Sequence, residues 1–384
     1  LRAGRVSVGA GESQARGAAL EACLLARAGY GAMPTDNDHA YARDYRFASL
    51  TDVCRMALER AGFDVAGLSP EQIASYALIR LGRRDEDVLE FMRVRASGGG
   101  AVGVDNLPYL LANTGNKLLR RGYEQIAPTY KVWASQGEPL KDYKSRSEIL
   151  LGDLAEFEEL PEGATPRRSD ILESNVTMQA KDYARAFAVT RKAIVNDDLR
   201  GFTRAPFKFG QAAARKENAL AYAQLTASGN YSAANTGTAG APSTTTLSEL
   251  RKLMRKRTSL AATGETARPL NIVPKILVVP PNHETAANAL RATLYPATAS
   301  DAKDREFADL TIVTDAALTD DNKWYVVADP AMWDGIQYSY LAGENGVVMS
   351  NELEFRSGSM IMQARLAFDV KVIDSKALGY NAGA

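Results

Sequence analysis

The stretch that decides the fold is MIMQARLAFDVKV, residues 360–372, near the end of the chain. Apolar side chains at every second position alternate here with Gln363, Arg365, Asp369 and Lys371, which is the pattern of a β-strand with one buried face. At about 3.3 Å per residue such a strand is about 45 Å long, whereas an ordinary strand has about 5–6 residues. We therefore expect it to extend through more than one structural unit.

Upstream of this strand the sequence mixes helical and strand-like patterns, which predicts an α+β fold. Apolar runs predict strands at 276–279, 310–313 and 324–327, and extended segments at 130–133 and 187–189. Helical spacing predicts helices at 107–121, 203–225 and 247–260, and a further helix to residue 294 with Asn282 as its N-cap. Residues 228–246 carry no charge and are rich in Gly, Ser and Thr, so we expect a flexible loop there.

The helix at 203–225 has apolar residues at Phe209, Ala213, Leu220 and Ala223. These positions keep roughly helical spacing and predict the buried face. Arg215, Lys216 and Glu217 are then expected on the opposite, solvent-facing side.

Residues 1–100 form a block of their own, with 13 arginines, 13 acidic residues and no lysine. Three helices are expected in it: one around Leu20–Ala28, one ending before Gly62, and one after Ser69. Ser69, Pro70 and Gln72 have the order of an N-cap, a first helical proline and a capping-box partner. The glycines at 98–100 then predict a break, so this block is expected to be a small helical region or arm distinct from the rest of the chain.

Residues 134–182 are polar and charged, with little helical periodicity. At their centre Pro161, Glu162 and Gly163 have turn chemistry, and the flanking runs have extended patterns. The segment therefore predicts a long two-stranded excursion that is too polar for a core, and such long excursions usually have a function.

Composition excludes several protein classes. The chain has 384 residues with 46 basic and 46 acidic side chains, so its average charge gives no reason to bind nucleic acid or an anionic membrane. No run approaches the ~18 apolar residues of a membrane span. Cys23, Cys54, His39 and His283 are the only cysteines and histidines and lack zinc-site spacing, so we expect two idle or buried thiols, no metal and no cofactor.

Because the chain begins with Leu1 and lacks a secretory signal, we expect a cytoplasmic protein whose precursor extends upstream.

Motifs for catalysis are missing as well. There is no phosphate-binding glycine motif, and the Ser-x-x-Lys match at 300–303 lacks its companion elements. Asp315, Asp320, Asp321 and Asp329 are better interpreted as an exposed acidic surface than as a cation site. The basic residues 251–257 contain no aromatic side chain for stacking on bases, which favours a solvated or subunit-contact face over a DNA contact.

The order of these elements resembles that of the major capsid proteins of tailed bacteriophages, whose Hong Kong ninety-seven fold also occurs in encapsulin shells. The resemblance covers roughly residues 107–378. It rests on four stretches. Residues 157–164 with 177–180 are similar to the family's extended loop (E-loop), and residues 188–199 are similar to the passage before its spine helix, here 203–225. Residues 276–290 are similar to the axial domain, and residues 360–373 are similar to the long β element of the peripheral domain.

This resemblance implies a division of the chain into five parts. They are an N-terminal helical extension at 1–106, an N-arm at 107–146, the E-loop at 147–182, a peripheral domain at 183–245 and 346–384, and an axial domain at 246–345.

The resemblance also implies a structural protein without enzymatic activity. Copies would form pentamers and hexamers of an icosahedral shell around double-stranded DNA, bound without sequence specificity, in a virion assembled in the host cytoplasm. Portal, scaffold or prohead protease and decoration proteins are the implied partners, no membrane is involved, and a Mu-like, protease-processed type is expected. An encapsulin-like nanocompartment around protein cargo, or a soluble enzyme built from scattered residues, stays open as an alternative.

In this family the E-loop lies over a neighbouring subunit. The charged residues of the predicted tip are therefore the candidate contact residues: Glu158, Glu159, Glu162, Arg167 and Arg168. Some members crosslink an E-loop lysine to an asparagine of a neighbour. Residues 157–171 contain no lysine, so we expect no such crosslink here.

Overall fold

The structure is a computed structural model that describes residues 10–27, 32–35, 41–46, 48–60, 63–82, 107–151, 173–189, 192, 199–260, 267–294, 310–354 and 359–383. Within them helices and strands are mixed, so the predicted α+β class is confirmed. The helices are α1 (Ala10–Arg27), α2 (Ala42–Tyr45), α3 (Leu50–Arg60), α4 (Pro70–Gly82), α5 (Leu107–Gln125), α6 (Leu199–Leu225), α7 (Thr244–Arg255) and α8 (Glu284–Leu294). The strands are β1 (Ser135–Gln136), β2 (Arg146–Leu151), β3 (Glu173–Met178), β4 (Lys181–Val189), β5 (Thr236–Gly237), β6 (Pro274–Val279), β7 (Thr311–Thr314), β8 (Trp324–Ala328), β9 (Ile336–Tyr340), β10 (Val347–Glu354), β11 (Ser359–Val372) and β12 (Leu378–Asn381).

The chain packs into two compact units, each built from three separate segments. Unit 1 consists of Leu1–Ala127, Tyr183–Ala214 and Val347–Leu366, and unit 2 of Pro128–Asp182, Arg215–Gly346 and Ala367–Ala384. The long strand β11 contributes residues to both units.

Strand β11 confirms the expectation drawn from residues 360–372. In unit 1 its first part pairs antiparallel with β10, from Ser359 opposite Glu354 to Leu366 opposite Val347. In unit 2 its second part pairs antiparallel with β9, from Phe368 opposite Tyr340 to Val372 opposite Ile336. The 14 residues of β11 thus extend through more than one unit, as their alternation predicts.

In unit 1 the N-terminal helices share a core with later parts of the chain. Buried residues of α1, α3 and α4 pack in one cluster with Leu119 of α5 and with Met349, Met362 and Ala364 of β10 and β11. The prediction that residues 1–100 are distinct from the rest of the chain is therefore wrong for the described helices. Composition alone could not detect this shared core, because its partners in β10 and β11 lie more than 200 residues away in sequence.

The capping box of α4 is confirmed. The backbone N–H of Gln72 donates to the Ser69 hydroxyl over 3.3 Å, and the backbone N–H of Ser69 donates to the Gln72 side chain over 2.9 Å. Pro70 is the first residue of the helix.

Helices α5 and α6 approach each other closely in unit 1, and two glycines make this possible. A Cβ added at Gly122 would lie 2.0 Å from the carbonyl oxygen of Phe207, and one added at Gly210 would lie 2.0 Å from the carbonyl oxygen of Leu119. Any side chain at either position would therefore force the helices apart.

Unit 2 contains a five-stranded sheet in the order β5-β12-β8-β6-β7. Helices α7 and α8 pack with this sheet in a core that includes Leu250, Ala287, Leu277 and Val326. The predicted strands at 276–279, 310–313 and 324–327 correspond to β6, β7 and β8 and are confirmed.

Three local predictions in unit 2 are wrong. Residues Thr129–Val132 form a 3-10 turn and not an extended segment. Helix α7 begins within the predicted loop, because Ser243 and Thr246 form a capping box that starts it at Thr244. A 3-10 turn at Pro281–His283 precedes α8, so Asn282 lies inside that turn and is not the N-cap of the helix.

Candidate functional site

The two cysteines and the one described histidine have structural roles. Cys23 and Cys54 are free and buried, and burial raises the pKa of Cys54 to about 12, so its thiol stays protonated and unreactive at neutral pH. The ring Nε2 of buried His283 lies 3.1 Å from the carbonyl oxygen of Asn322. Within the described ranges no group of three or more His, Cys, Asp or Glu side chains is placed to hold a metal ion. None of the helices described could cross a membrane.

Glu217 on α6 is fully buried, so its predicted solvent-facing position is wrong. Its Oε2 accepts hydrogen bonds from the hydroxyls of Tyr130 over 3.0 Å and Tyr340 over 3.1 Å. Burial, and secondly the charge of Glu217, raise the pKa of Tyr338. The carboxylate thus joins three parts of unit 2 and stabilises the fold.

A second polar cluster surrounds Asp315. Its Oδ2 accepts hydrogen bonds from the Thr129 hydroxyl and, over 2.7 Å, from the Asn218 amide. The Thr129 hydroxyl lies 2.9 Å from that of Tyr222, whose pKa is raised by burial to about 12. Asp315 is therefore a partly buried packing residue, and its assignment to an exposed acidic surface is wrong. Asp320 and Asp321 are exposed as expected.

The described ends of the predicted excursion form an antiparallel ribbon. Strands β2 and β3 pair from Arg146 opposite Met178 to Leu151 opposite Glu173. The two-stranded start of the excursion is thereby confirmed. Most of the described ribbon is open to solvent, and Ile149 is 57% exposed.

Within its described residues, the ribbon is anchored in unit 2 at its base. Met178 and Ala180 are buried with Leu140. The backbone N–H of Gln179 donates to the Asp369 carboxylate over 2.8 Å. The ribbon therefore starts from a fixed point, whereas the five candidate contact residues Glu158, Glu159, Glu162, Arg167 and Arg168 lie outside the described residues.

The basic segment 251–257 divides into two parts. Lys252 and Lys256 are exposed on and just after α7. Arg257 is buried, and its guanidinium donates to the carbonyl oxygens of Ser375 over 2.9 Å and Leu378 over 3.1 Å. The predicted solvated or contact face therefore excludes Arg257, which instead holds two backbone segments together.

Sequence comparison provides one match to a family. A family model described as "Phage capsid protein" matches residues 174–381. A search of curated proteins found no match.

Several solved structures are similar to this chain at low sequence identity. A virus-like particle from Pyrococcus furiosus is 13% identical, with a TM-score of 0.42 over 70% of this chain and 97% of the other. The capsid of Myoviridae phage XM1 is 12% identical, with a TM-score of 0.45 over 67% and 92%. An encapsulin complex from Synechococcus elongatus is 14% identical, with a TM-score of 0.42 over 67% and 88%.

Proposed function

Because the chain belongs to the phage capsid protein family, we propose that its copies form pentamers and hexamers that close into an icosahedral shell around packaged double-stranded DNA. The family membership confirms the predicted identity as a phage capsid protein. The protein is thus a structural component of a virion shell. The match over residues 174–381 is the observation that carries this function.

The exposed ribbon is the feature that best supports contacts between copies. An apolar residue such as Ile149, exposed on a ribbon whose base is anchored in unit 2, gains stability when a partner covers it. We propose that the excursion at 147–182 is an E-loop that lies over a neighbouring subunit. Its charged tip, Glu158, Glu159, Glu162, Arg167 and Arg168, then contacts that neighbour.

The remaining parts of the proposal concern partners and location. The shell would be assembled in the host cytoplasm and would enclose DNA without sequence-specific contacts. Portal, scaffold, prohead protease and decoration proteins would be its further partners. The domain boundaries at 146, 182, 245 and 345 belong to the same proposal, whereas the boundary at 106 does not, because the N-terminal helices share a core with α5, β10 and β11.

Electron microscopy of the expressed chain tests the shell. We expect closed particles of uniform size, which on boiling in detergent give a single band of subunit size because the E-loop tip has no lysine to crosslink. Discrete folded subunits without particles would contradict the shell. Nucleic acid extracted from native particles distinguishes a virion from an encapsulin, since the latter would contain protein cargo instead.

A further inference from the structure

The five-stranded sheet of unit 2 has two ends with different charge. Pro274 of β6 lies opposite Ala328 of β8 at one end, and Val278 lies opposite Tyr325 toward the other. Helix α7 finishes at the first end, where the carbonyl oxygen of Arg255 accepts the backbone N–H of Asn271 over 3.2 Å. The loops that follow β6 and precede β8 lie at the second end.

The first end, which we call the basic end, carries Lys252, Arg255 and Lys256. Across the described part of the chain, no carboxylate forms an ion pair with any of these three. Lys252 and Lys256 are four residues apart at the C-terminal end of α7, so their charges repel each other. Val273 directly precedes β6 and Met332 follows β8 by four residues at this same end of the sheet, and the two side chains are 42% and 79% exposed.

The turn that presents Met332 is held firmly. Its backbone N–H donates to the carbonyl oxygen of Asp329 over 3.0 Å, and the Asp329 carboxylate binds Lys275. The pKa of Asp329 is lowered by this bond with Lys275. A fixed, exposed methionine at the basic end is suited to a protein partner, because little backbone freedom remains to be lost on binding.

The second end, which we call the acidic end, carries Glu284, Asp320 and Asp321, all of them exposed. Asp320 is paired with Lys323 over 2.8 Å. Among the described residues neither Glu284 nor Asp321 has a cationic partner. The Asn282 amide donates to the carbonyl oxygen of Asp321 over 3.4 Å, which joins the turn before α8 to the loop that carries Asp321.

The two ends cannot neutralise each other within one copy. The length of β6, five residue-to-residue steps or ~17 Å, separates the two ends. This separation is about twice the ~8 Å distance over which physiological salt screens charges. Direct contact between copies would remove this separation. A basic end meeting an acidic end is a head-to-tail contact, and such contacts close into a ring when the rotation from copy to copy adds up to a full turn.

We propose that the basic end of one copy docks against the acidic end of the next copy within each capsomer. This inference rests on the proposed function, since it specifies how shell subunits associate. Packaged DNA is the competing partner for the basic end. A second copy is favoured because every copy supplies a matching acidic end, and because exposed Val273 and Met332 suit a protein surface better than a phosphate backbone.

Paired charge reversals test the contact. One variant carries Lys252→Glu with Lys256→Glu, and a second carries Asp321→Lys with Glu284→Lys, which leaves the Asp320–Lys323 pair intact. We expect each to lower the yield of shells about ten-fold at physiological salt, because like charges then face each other at every contact. Combining all four substitutions restores opposite charges and is expected to restore the yield.

Arg204→Glu with Lys208→Glu is the matched control, since it reverses two exposed cations at the same helical spacing on α6. It should leave the yield unchanged. Circular dichroism checks the fold of every variant, and sedimentation follows the association of copies.

Full shell yield from both charge-reversed variants would overturn the head-to-tail contact but not the shell. Failure of the combined variant to restore the shell yield would also overturn that contact. Intact shells that lose only DNA on basic-end reversal would assign that end to DNA. Unaltered protein that stays monomeric would overturn both proposals.

Discussion

At the scale of single residues, Glu217 provides a sharp test of what stabilises unit 2. Glu217→Ala removes the acceptor for two buried tyrosine hydroxyls, so we expect the free energy of unfolding to fall by about 1–3 kcal/mol. Glu217→Gln keeps one acceptor oxygen and should lose less. Urea unfolding of the unassembled subunit measures both values.

Glu124, which is exposed on α5, provides the comparison. Glu124→Ala should change the free energy of unfolding by less than about 0.5 kcal/mol, as is usual for surface positions. An equal loss at Glu124 and Glu217 would contradict the role assigned to the buried carboxylate.

The burial of Glu217 could not be predicted from the sequence. Helical spacing treats a carboxylate as a marker of the solvent-facing side. The hydroxyls that satisfy this one belong to Tyr130 and Tyr340, which are 87 and 123 residues away along the chain. A buried polar residue of this kind can be recognised only once its partners are placed in space. By contrast, the local capping pair of Ser69 and Gln72 could be predicted, because the two partners are only three residues apart.

At the scale of elements, the crossing of α5 and α6 depends on two glycines. Gly122→Ala or Gly210→Ala places a methyl group against a backbone carbonyl of the other helix, which cannot rotate away. We expect each substitution to lower the free energy of unfolding by about 1–3 kcal/mol, the usual range for overpacking. Thermal unfolding followed by circular dichroism measures the loss.

Gly115 is the control for this prediction, because it lies on the same helix as Gly122. A Cβ there would meet only the ends of flexible methionine side chains, first that of Met349. Gly115→Ala should therefore be neutral or stabilising, since alanine favours a helix over glycine by about 1 kcal/mol. A loss at Gly115 as large as at Gly122 would show that the helix crossing is not the cause.

Elements with a strong local pattern could be predicted, and those defined by distant partners could not. Strand β11 has a clear alternation, and β6 and β8 are short apolar runs. Strand β10 contains Asn351 and Glu352 and has no such pattern, yet it pairs with β11 along its whole length. Strand β9 is mostly buried, and its sequence, IQYSY, lacks an alternation that would reveal this. Pairing with β11 therefore creates strands that propensity alone does not.

At the scale of the whole molecule, the E-loop charges should matter only in the assembled shell. We expect Arg167→Glu with Arg168→Glu to leave the subunit folded and to lower the stability of mature shells, most clearly at low salt where charges are least screened. One exposed ion pair contributes only ~0–1 kcal/mol, but the contact repeats at every copy in the shell. Thermal disruption of shells at two salt concentrations measures the effect.

The variant Arg204→Glu with Lys208→Glu separates a local effect from net charge, because it changes the charge of the chain by the same amount. Equal stability of the E-loop variant and the unaltered shell at both salt concentrations would contradict the charge contact. The sequence could predict these tip residues only through the resemblance to a family. Chemistry of the residues alone indicates a polar turn and gives no partner for it.

The division of the chain into two interleaved units has a consequence for its synthesis. Unit 1 needs Val347–Leu366 and unit 2 needs Ala367–Ala384, so neither is complete until β11 has left the ribosome. At about 5–20 residues per second, translation of a chain this long takes roughly 20–80 seconds. Throughout that time a nascent chain lacks the strand that completes both cores. The apolar surfaces of both cores therefore stay incompletely covered until β11 emerges, and nascent copies are most prone to non-native association during this period.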